Sequence, residues 1–439
     1  KNMALQLKLN QERFIPLLEK LIGESEFVQN NPPEHIPEED RVVRHVLAVL
    51  EPLSTKNGGP LIVEQLSYTP GRSNIYVEYP GSLGHEKVVS FVGSHMDVVT
   101  ADRSKWTVDP FKLTRDGDKL YGRGTTDCLG HVALITDLMA QLAEKKPSLK
   151  ASVCVLFICN EENATVVDIG VDRVAKEGKI DHLKNGPLLW CDVADSQACM
   201  ATGGIRQWRL TAKGKLFHSG IPQKAMNAIE LAHDALAAIQ SRFYRDFAAG
   251  QKEADYKFIV GSTLKPTYMS SPEGSRNIIQ GEAVLEGDIR LTPFFDWNDV
   301  KAKVDSYVAE INADVGALAK ADVRGPGSKY ELPEEGLKAE IQFEFMGEPH
   351  SGVACDLTSV GFKALNSAVQ EVTGVAAPYS LTGSLPLIAD LKQQGFDVQM
   401  IGFGKMCVYH GHDEYTNLSD MANGTMILSR MIELVDAAC

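Results

Sequence analysis

The stretch KVVSFVGSHMDVV, residues 87–99, is an apolar run that closes on a histidine and an aspartate two residues apart. Side chains alternate along a strand, so His95 and Asp97 project from one face at the strand's C-terminal end. In open α/β sheets that end is where ligands bind. A histidine with a carboxylate two positions on suits a metal ligand and the partner that orients it. Taken alone, H-x-D is more often a hydrogen-bonded structural pair.

Outward from this run, IYVEY (75–79), ASVCVLFIC (151–159) and PLLWCDV (187–193) read as further strands, the last two apolar enough for burial on both faces. Helical spacing of apolar residues covers 11–30 and 39–53, and an amphipathic helix is predicted from about His131 to Lys146. Such strands alternating with helices predict an α/β fold with a mostly parallel sheet. The pattern changes after Gly203-Gly204. RQWRLTAKG (206–214) alternates like a half-exposed strand, 226–247 reads as a helix, and alternating strands follow at about 258–269 and 283–291. Asp296–Ala317 is helical in pattern and IQFEFM (341–346) alternates again. This β-α-β-β-α-β order predicts a ferredoxin-like α+β sandwich. From Thr358 the α/β character returns, with helices near 359–373, 385–394 and 418–437 and a strand at 397–402. Residues 1–204 and 350–439 are thus expected to form one domain, interrupted by an inserted α+β domain at 205–349.

A chain of 439 residues exceeds one ordinary core, in keeping with two domains. The net charge of -14 and the absence of a basic stripe argue against a nucleic-acid partner. No apolar stretch approaches membrane-spanning length, so no membrane partner is expected. The opening KNMALQLKLN lacks the apolar segment of a secretory leader. The expected location is the cytoplasm, or an organelle if a transit peptide has been removed. Eight scattered cysteines without a C-x-x-C pair are read as reduced thiols.

Acidic and imidazole groups recur at the ends of the apolar runs. Asp127 sits between glycines in GRGTTDCLG (122–130), a loop that presents a carboxylate just before a helix; a turn aspartate or helix cap is the plainer reading. Glu161 and Glu162 follow ASVCVLFIC directly, where two carboxylates are costly unless paired or metal-bound. Adjacent residues point apart, which leaves one free to be a ligand and the other a general base. Asp192 closes PLLW-C, with Asp195 as a competitor, and His410 and His412 lie in YHGHDEY (409–415). No nucleophile elbow, H-E-x-x-H helix, phosphate loop or dinucleotide fingerprint occurs. Imidazole and carboxylate without thiolate suit zinc, cobalt or manganese in a catalytic site.

SHMDVV (94–99), GRGTTDCLG (122–130), NEE (160–162), HSGIPQKAMNA (218–228) and HGHDE (410–414) together resemble the motifs of the di-zinc aminoacylase/carboxypeptidase-type metallohydrolases, in that family's order. The resemblance implies a zinc-peptidase-like catalytic domain with an inserted dimerisation and lid domain, two Zn2+ sites that Co2+ or Mn2+ could also fill, and a homodimer. It implies Asp127 as the carboxylate bridging two metals, His95 and Asp192 completing one and Glu162 and His410 the other. Asp97 would orient His95, Glu161 would be the general base, and His218 would reach the partner's active site and donate to the oxyanion. Asn277, Arg290, Thr382, Gly383 and Ser384 resemble residues that meet the substrate. The sequence departs from the family at Asp192-Val193, where Glu-Pro is usual, and at Gln280, where proline is common. Stretches such as GKLFHSG (214–220), DIRLTPFFD (288–296) and LTGSLPLIADLKQQGFDVQ (381–399) are similar to the plant-type acetylornithine deacetylase branch. That branch implies hydrolysis of a small N-acyl amino acid, N-acetyl-L-ornithine; a related amidase or dipeptidase is the alternative.

Overall fold

The computed structural model describes residues 5, 7–163, 165–192, 195–325, 327 and 329–438. The chain divides into two compact units. One holds the residues up to Met200 with Cys355–Tyr379 and Leu387–Cys439; the other holds Ala201–Ala354 and Ser380–Pro386.

In the first unit the strands Ile62–Thr69, Arg72–Tyr79, Ser152–Ile158, Val88–His95, Pro187–Cys191 and Asp397–Ile401 lie side by side in that order. The last four run parallel and the first two join antiparallel, so the parallel character sits at the centre of a mixed sheet. Ser152–Ile158, Val88–His95 and Pro187–Cys191 are buried along their whole lengths, which is why they carry no polar alternation.

The helix Leu129–Lys145 departs from its expected amphipathic character, for every residue from Leu129 to Ala143 is buried. It packs on the sheet and against the helices Gln11–Glu24, Asp40–Leu50 and Leu418–Ala437, so no face is left for water. Its polar residues find internal partners instead. Asp137 accepts from the Asn10 amide at 2.9 Å and from Gln141 at 2.7 Å, and the Phe403 amide donates to His131 Nε2 at 2.8 Å. Burial pushes the His131 imidazole down to about 4, which keeps it neutral and able to accept. The seven described cysteines are free, and Cys439 lies outside the described residues. No helix among the described residues is long and apolar enough to cross a membrane.

The second unit contains a four-stranded antiparallel sheet ordered Thr263–Ser270, Glu282–Leu291, Gly204–Lys213 and Glu340–His350. With the helices Ala228–Asp246 and Trp297–Ala313 this is the expected ferredoxin-like arrangement. The long helix starts where the Asn227 side chain accepts from the Ile229 and Glu230 amides. Asn227 therefore caps this helix. By compactness this unit runs Ala201–Ala354, a few residues past the expected 205–349 at each end, and it also takes in Ser380–Pro386. Backbone bonds hold it there, from Leu381 N to Ala201 O at 3.1 Å and from Gly203 N to Gly383 O at 2.9 Å.

A break in register aims the end of the Val88–His95 strand. Val92 pairs with Leu156 and His95 with Ile158, with a bulge between. Gly93 there has φ +93°, and a Cβ would sit 2.3 Å from the Trp190 ring. The left-handed backbone and the indole both require glycine. Gly93→Ala should destabilise the first unit by about 2 kcal/mol or more, read as a lowered urea midpoint. A change below about 0.5 kcal/mol, typical of a surface substitution, would show that the bulge is not constrained in this way.

Candidate metal centre

Parallel strands end together, so the groups that follow them meet. His95 ends its strand; Glu161 and Glu162 follow the strand ending at Ile158; Asp192 follows the one ending at Cys191, its amide bonded to Ile401 O at 3.0 Å. Asp127 comes from the loop before the buried helix, and His410 from the segment after Met406–Val408. Asp127 lies between the imidazoles, with Oδ1 2.9 Å from His95 Nε2 and Oδ2 2.8 Å from His410 Nε2. Asp192 Oδ1 is 3.6 Å from His95 Nε2, Glu162 Oε2 is 3.3 Å from His410 Nε2, and Glu161 Oε2 is 4.0 Å from His95 Nε2. Six of the residues singled out by sequence are thus brought into one cluster.

Asp97 completes it from behind. His95 Nδ1 lies 2.8 Å from the Asp97 carbonyl oxygen and 3.4 Å from its carboxylate. The carboxylate's closer partners are the Glu161 and Glu162 amides, at 3.0 and 2.9 Å, and the Asn30 amide group at 2.8 Å. Asp97 therefore sets the Glu161-Glu162 turn as well as the imidazole. Asp195 is exposed and accepts from the Met406 amide at 3.2 Å, away from the cluster, whereas Asp192 is fully buried and receives the Trp190 indole N–H at 3.3 Å.

The electrostatics are those of carboxylates short of countercharge. Burial and then the Asp192 charge push Glu161 well above the usual range, and burial with Asp127 pushes Glu162 up to about 8. His410, lowered by burial, is nonetheless raised to about 10 by Asp127 and Glu162. Glu162 Oε1 and Asp192 Oδ1 are buried yet form no hydrogen bond, and Asp127 Oδ2 faces only the His410 imidazole. Orphaned anionic oxygens converging with two imidazoles are the donor set of divalent cations. His95, Asp127 and Glu162 offer ligand atoms within 4.8 Å of one another, as do His95, Asp192 and Cys128. The Cys128 thiol is turned to the Cys191 carbonyl, to which it donates at 3.5 Å.

Several supporting residues were not legible from the motifs. The Glu414 carboxylate, wholly buried, accepts from the Gly124, Thr126 and Asp127 amides at 3.1, 2.7 and 3.0 Å, and from Arg123 Nη1 at 2.6 Å. Arg123 also donates to the Gly411 carbonyl at 3.1 Å, which ties the Asp127 loop to the segment bearing His410. Before Glu161, Asn160 has φ +60°. Its side-chain oxygen accepts from Arg72 and Asn30, each at 3.1 Å, and its backbone amide donates to Glu39 at 3.2 Å. Glu39 and Arg72 form a buried two-bond ion pair at 2.8 and 2.6 Å.

The remaining sequence candidates lie in the second unit. His218 is exposed, in the short strand Phe217–His218 paired with Ile278–Ile279, and its Nδ1 accepts from the Gly220 amide at 3.0 Å. Asn277 borders that pair, its carbonyl accepting from Ser219 N at 2.8 Å. Arg290, on the strand Glu282–Leu291, donates to Asp288 at 3.1 Å. Thr382, Gly383 and Ser384 lie on the Ser380–Pro386 segment.

A mixed α/β sheet with acids and imidazoles gathered at its strand ends defines a class, the metal-binding hydrolases. More particularly, the profile of Peptidase family M20/M25/M40 matches residues 91–434, and the chain belongs to that family. It is 51% identical over 429 residues to an acetylornithine deacetylase of Arabidopsis thaliana, covering 98% of this chain and 96% of that one. It is 49% identical over 440 residues to an acetylornithine deacetylase of Dictyostelium discoideum, covering 98% of each. Among solved structures, an M20-family metallo-carboxypeptidase from Sulfolobus solfataricus superposes with TM-score 0.65 at 18% identity, over 97% of this chain and 99% of that one.

Replacing Glu414 by Gln removes the charge that holds the Asp127 loop and Arg123. Metal affinity should fall about 10- to 100-fold, as for other residues that orient ligands. The check is titration of chelator-stripped protein with zinc; unchanged affinity would separate Glu414 from the centre.

Proposed function

We propose that this protein is a two-metal amidohydrolase that converts N-acetyl-L-ornithine and water to L-ornithine and acetate, supplying ornithine for arginine synthesis. The observation that carries the reading is near-full-length identity of about one half to two acetylornithine deacetylases, in a chain whose acid–imidazole cluster is intact.

His95, Asp127 and Asp192 would hold one cation, and Asp127, Glu162 and His410 the other; zinc is the ion we assign, with cobalt or manganese as substitutes. Such cations supply Lewis acidity, lowering the pKa of a water at the site and polarising the scissile carbonyl. Glu161, which falls outside both ligand groups, takes the water's proton and delivers it to the departing amine. Asp97 keeps His95 and the Glu161-Glu162 turn in position. Residues 205–349 serve as the dimerisation and lid domain of a homodimer, and His218 donates to the oxyanion in the partner's site. Asn277, Arg290 and the Thr382-Gly383-Ser384 loop receive the substrate's carboxylate end. We place the reaction in the cytoplasm, or in an organelle after removal of a transit peptide.

A panel of N-acyl amino acids and dipeptides assayed for kcat/KM tests the substrate. N-acetyl-L-ornithine should be among the best; if a dipeptide or another acyl group is far better, the related amidase or dipeptidase replaces this reading. Thorough chelation should abolish hydrolysis and zinc or cobalt should restore it. Glu161→Gln should retain metal and lose about 10²- to 10⁴-fold in kcat; near-normal turnover would remove Glu161 as the base. His218→Ala should be nearly inactive, and mixed dimers with Glu161→Gln subunits should regain activity. Mixed dimers that stay inactive would argue against a shared site.

A further inference from the structure

A second cluster of metal-binding side chains lies on the first unit's sheet, apart from the strand-end centre. Ile75, Val77 and Tyr79 belong to the apolar core, as do Val153 and Val155. Alternation therefore puts Tyr76, Glu78 and Cys154 on the other face. Glu78 and Cys154 stand opposite each other across the antiparallel pair. Two short turns close over them: Gly84–Glu86 brings His85, and Asp181–Asn185 brings His182.

Five donor atoms converge there. The Tyr76 hydroxyl is 2.8 Å from Glu78 Oε2, 2.8 Å from His182 Nε2 and 3.4 Å from Cys154 Sγ. His85 Nε2 is 2.9 Å from the same Glu78 oxygen. The two imidazoles stack with centroids 4.1 Å apart, and each turns its Nε2 to the Tyr76–Glu78 pair. Ligand atoms of Glu78, Cys154 and His182 all lie within 4.8 Å of one another. Cys154 and Glu78 are buried, while the His85 side chain is half exposed and leaves a way in from solvent.

We infer that this cluster is a binding site for one zinc-like divalent cation, held by Cys154, His182 and Glu78 with His85 as the fourth ligand. Tetrahedral zinc takes thiolate at about 2.3 Å and imidazole or carboxylate at about 2.0–2.2 Å. A tetrahedron of such bonds puts ligands about 3.3–3.8 Å apart, so Glu78, Cys154 and His182 draw in, Glu78 and His85 part slightly from 2.9 Å, and the Tyr76 hydroxyl is displaced. The mixed sulfur, nitrogen and oxygen set selects zinc or cobalt over magnesium and calcium. Burial and the neighbouring His85 lower His182, which keeps its imidazole neutral and able to ligate. Burial pushes the Cys154 thiol up to about 12, so binding forms the metal–sulfur bond and releases the thiol proton to solvent. The bound ion would fasten both turns to the strand that carries Glu161 beyond its end.

The test uses full-length protein with its strand-end centre filled by cobalt, and follows bound metal by elemental analysis together with near-ultraviolet absorption. Wild type should hold one equivalent more than Cys154→Ser or His182→Ala, and should show a thiolate-to-cobalt band that Cys154→Ser loses and Cys128→Ser keeps. Both cluster variants should hydrolyse substrate normally, which checks their folding in the same samples. Equal metal content in wild type and both variants, or a band that survives Cys154→Ser, would overturn the assignment.

Discussion

Carboxylates at the ends of buried apolar strands are the constraint around which the first unit is organised. Glu161, Glu162 and Asp192 follow strands buried along their whole lengths, and Asp127 is itself almost wholly buried. Water cannot solvate them there, so the chain must supply donors or leave places for cations. It does both. Asp97 and Glu414 are surrounded by backbone amides, whereas the oxygens that face the centre of the cluster are left without hydrogen bonds. The first group fixes positions and the second leaves buried negative charge that a cation would meet.

That division explains what the sequence made visible. The clustered acids and His95 were legible because each lies just beyond an apolar run or between glycines, where an acid or imidazole is out of place; His410 stood out only within its motif. Asp192 could be preferred to Asp195 on the same ground, and the two side chains separate in the structure into a buried group of the cluster and an exposed one. The supporting residues were hidden. Glu414 is plain in HGHDE, but its partners are the Arg123 side chain and three amides nearly 290 residues earlier. Glu39, Arg72 and Asn30 stand in no motif, and only the fold brings them to Asn160.

Fold class was legible for similar reasons, since hydrophobic period reports burial. It misled where burial was complete: polar residues in Leu129–Lys145 gave an amphipathic pattern, yet they are buried with internal partners. The Ser380–Pro386 segment was invisible for another reason. Its allegiance is set by backbone bonds to residues 201 and 203, which leave no trace in side-chain pattern.

The tie between Arg123, Glu414 and the Asp127 loop also orders events during synthesis. Asp127, His95, Glu161, Glu162 and Asp192 are all made before the second unit, but the carboxylate that shapes the Asp127 loop and the second imidazole come after it. Asp97 can set His95 and the Glu161-Glu162 turn from residues already made, but Asp127 meets Glu414 and His410 only when the C-terminal part of the chain is present.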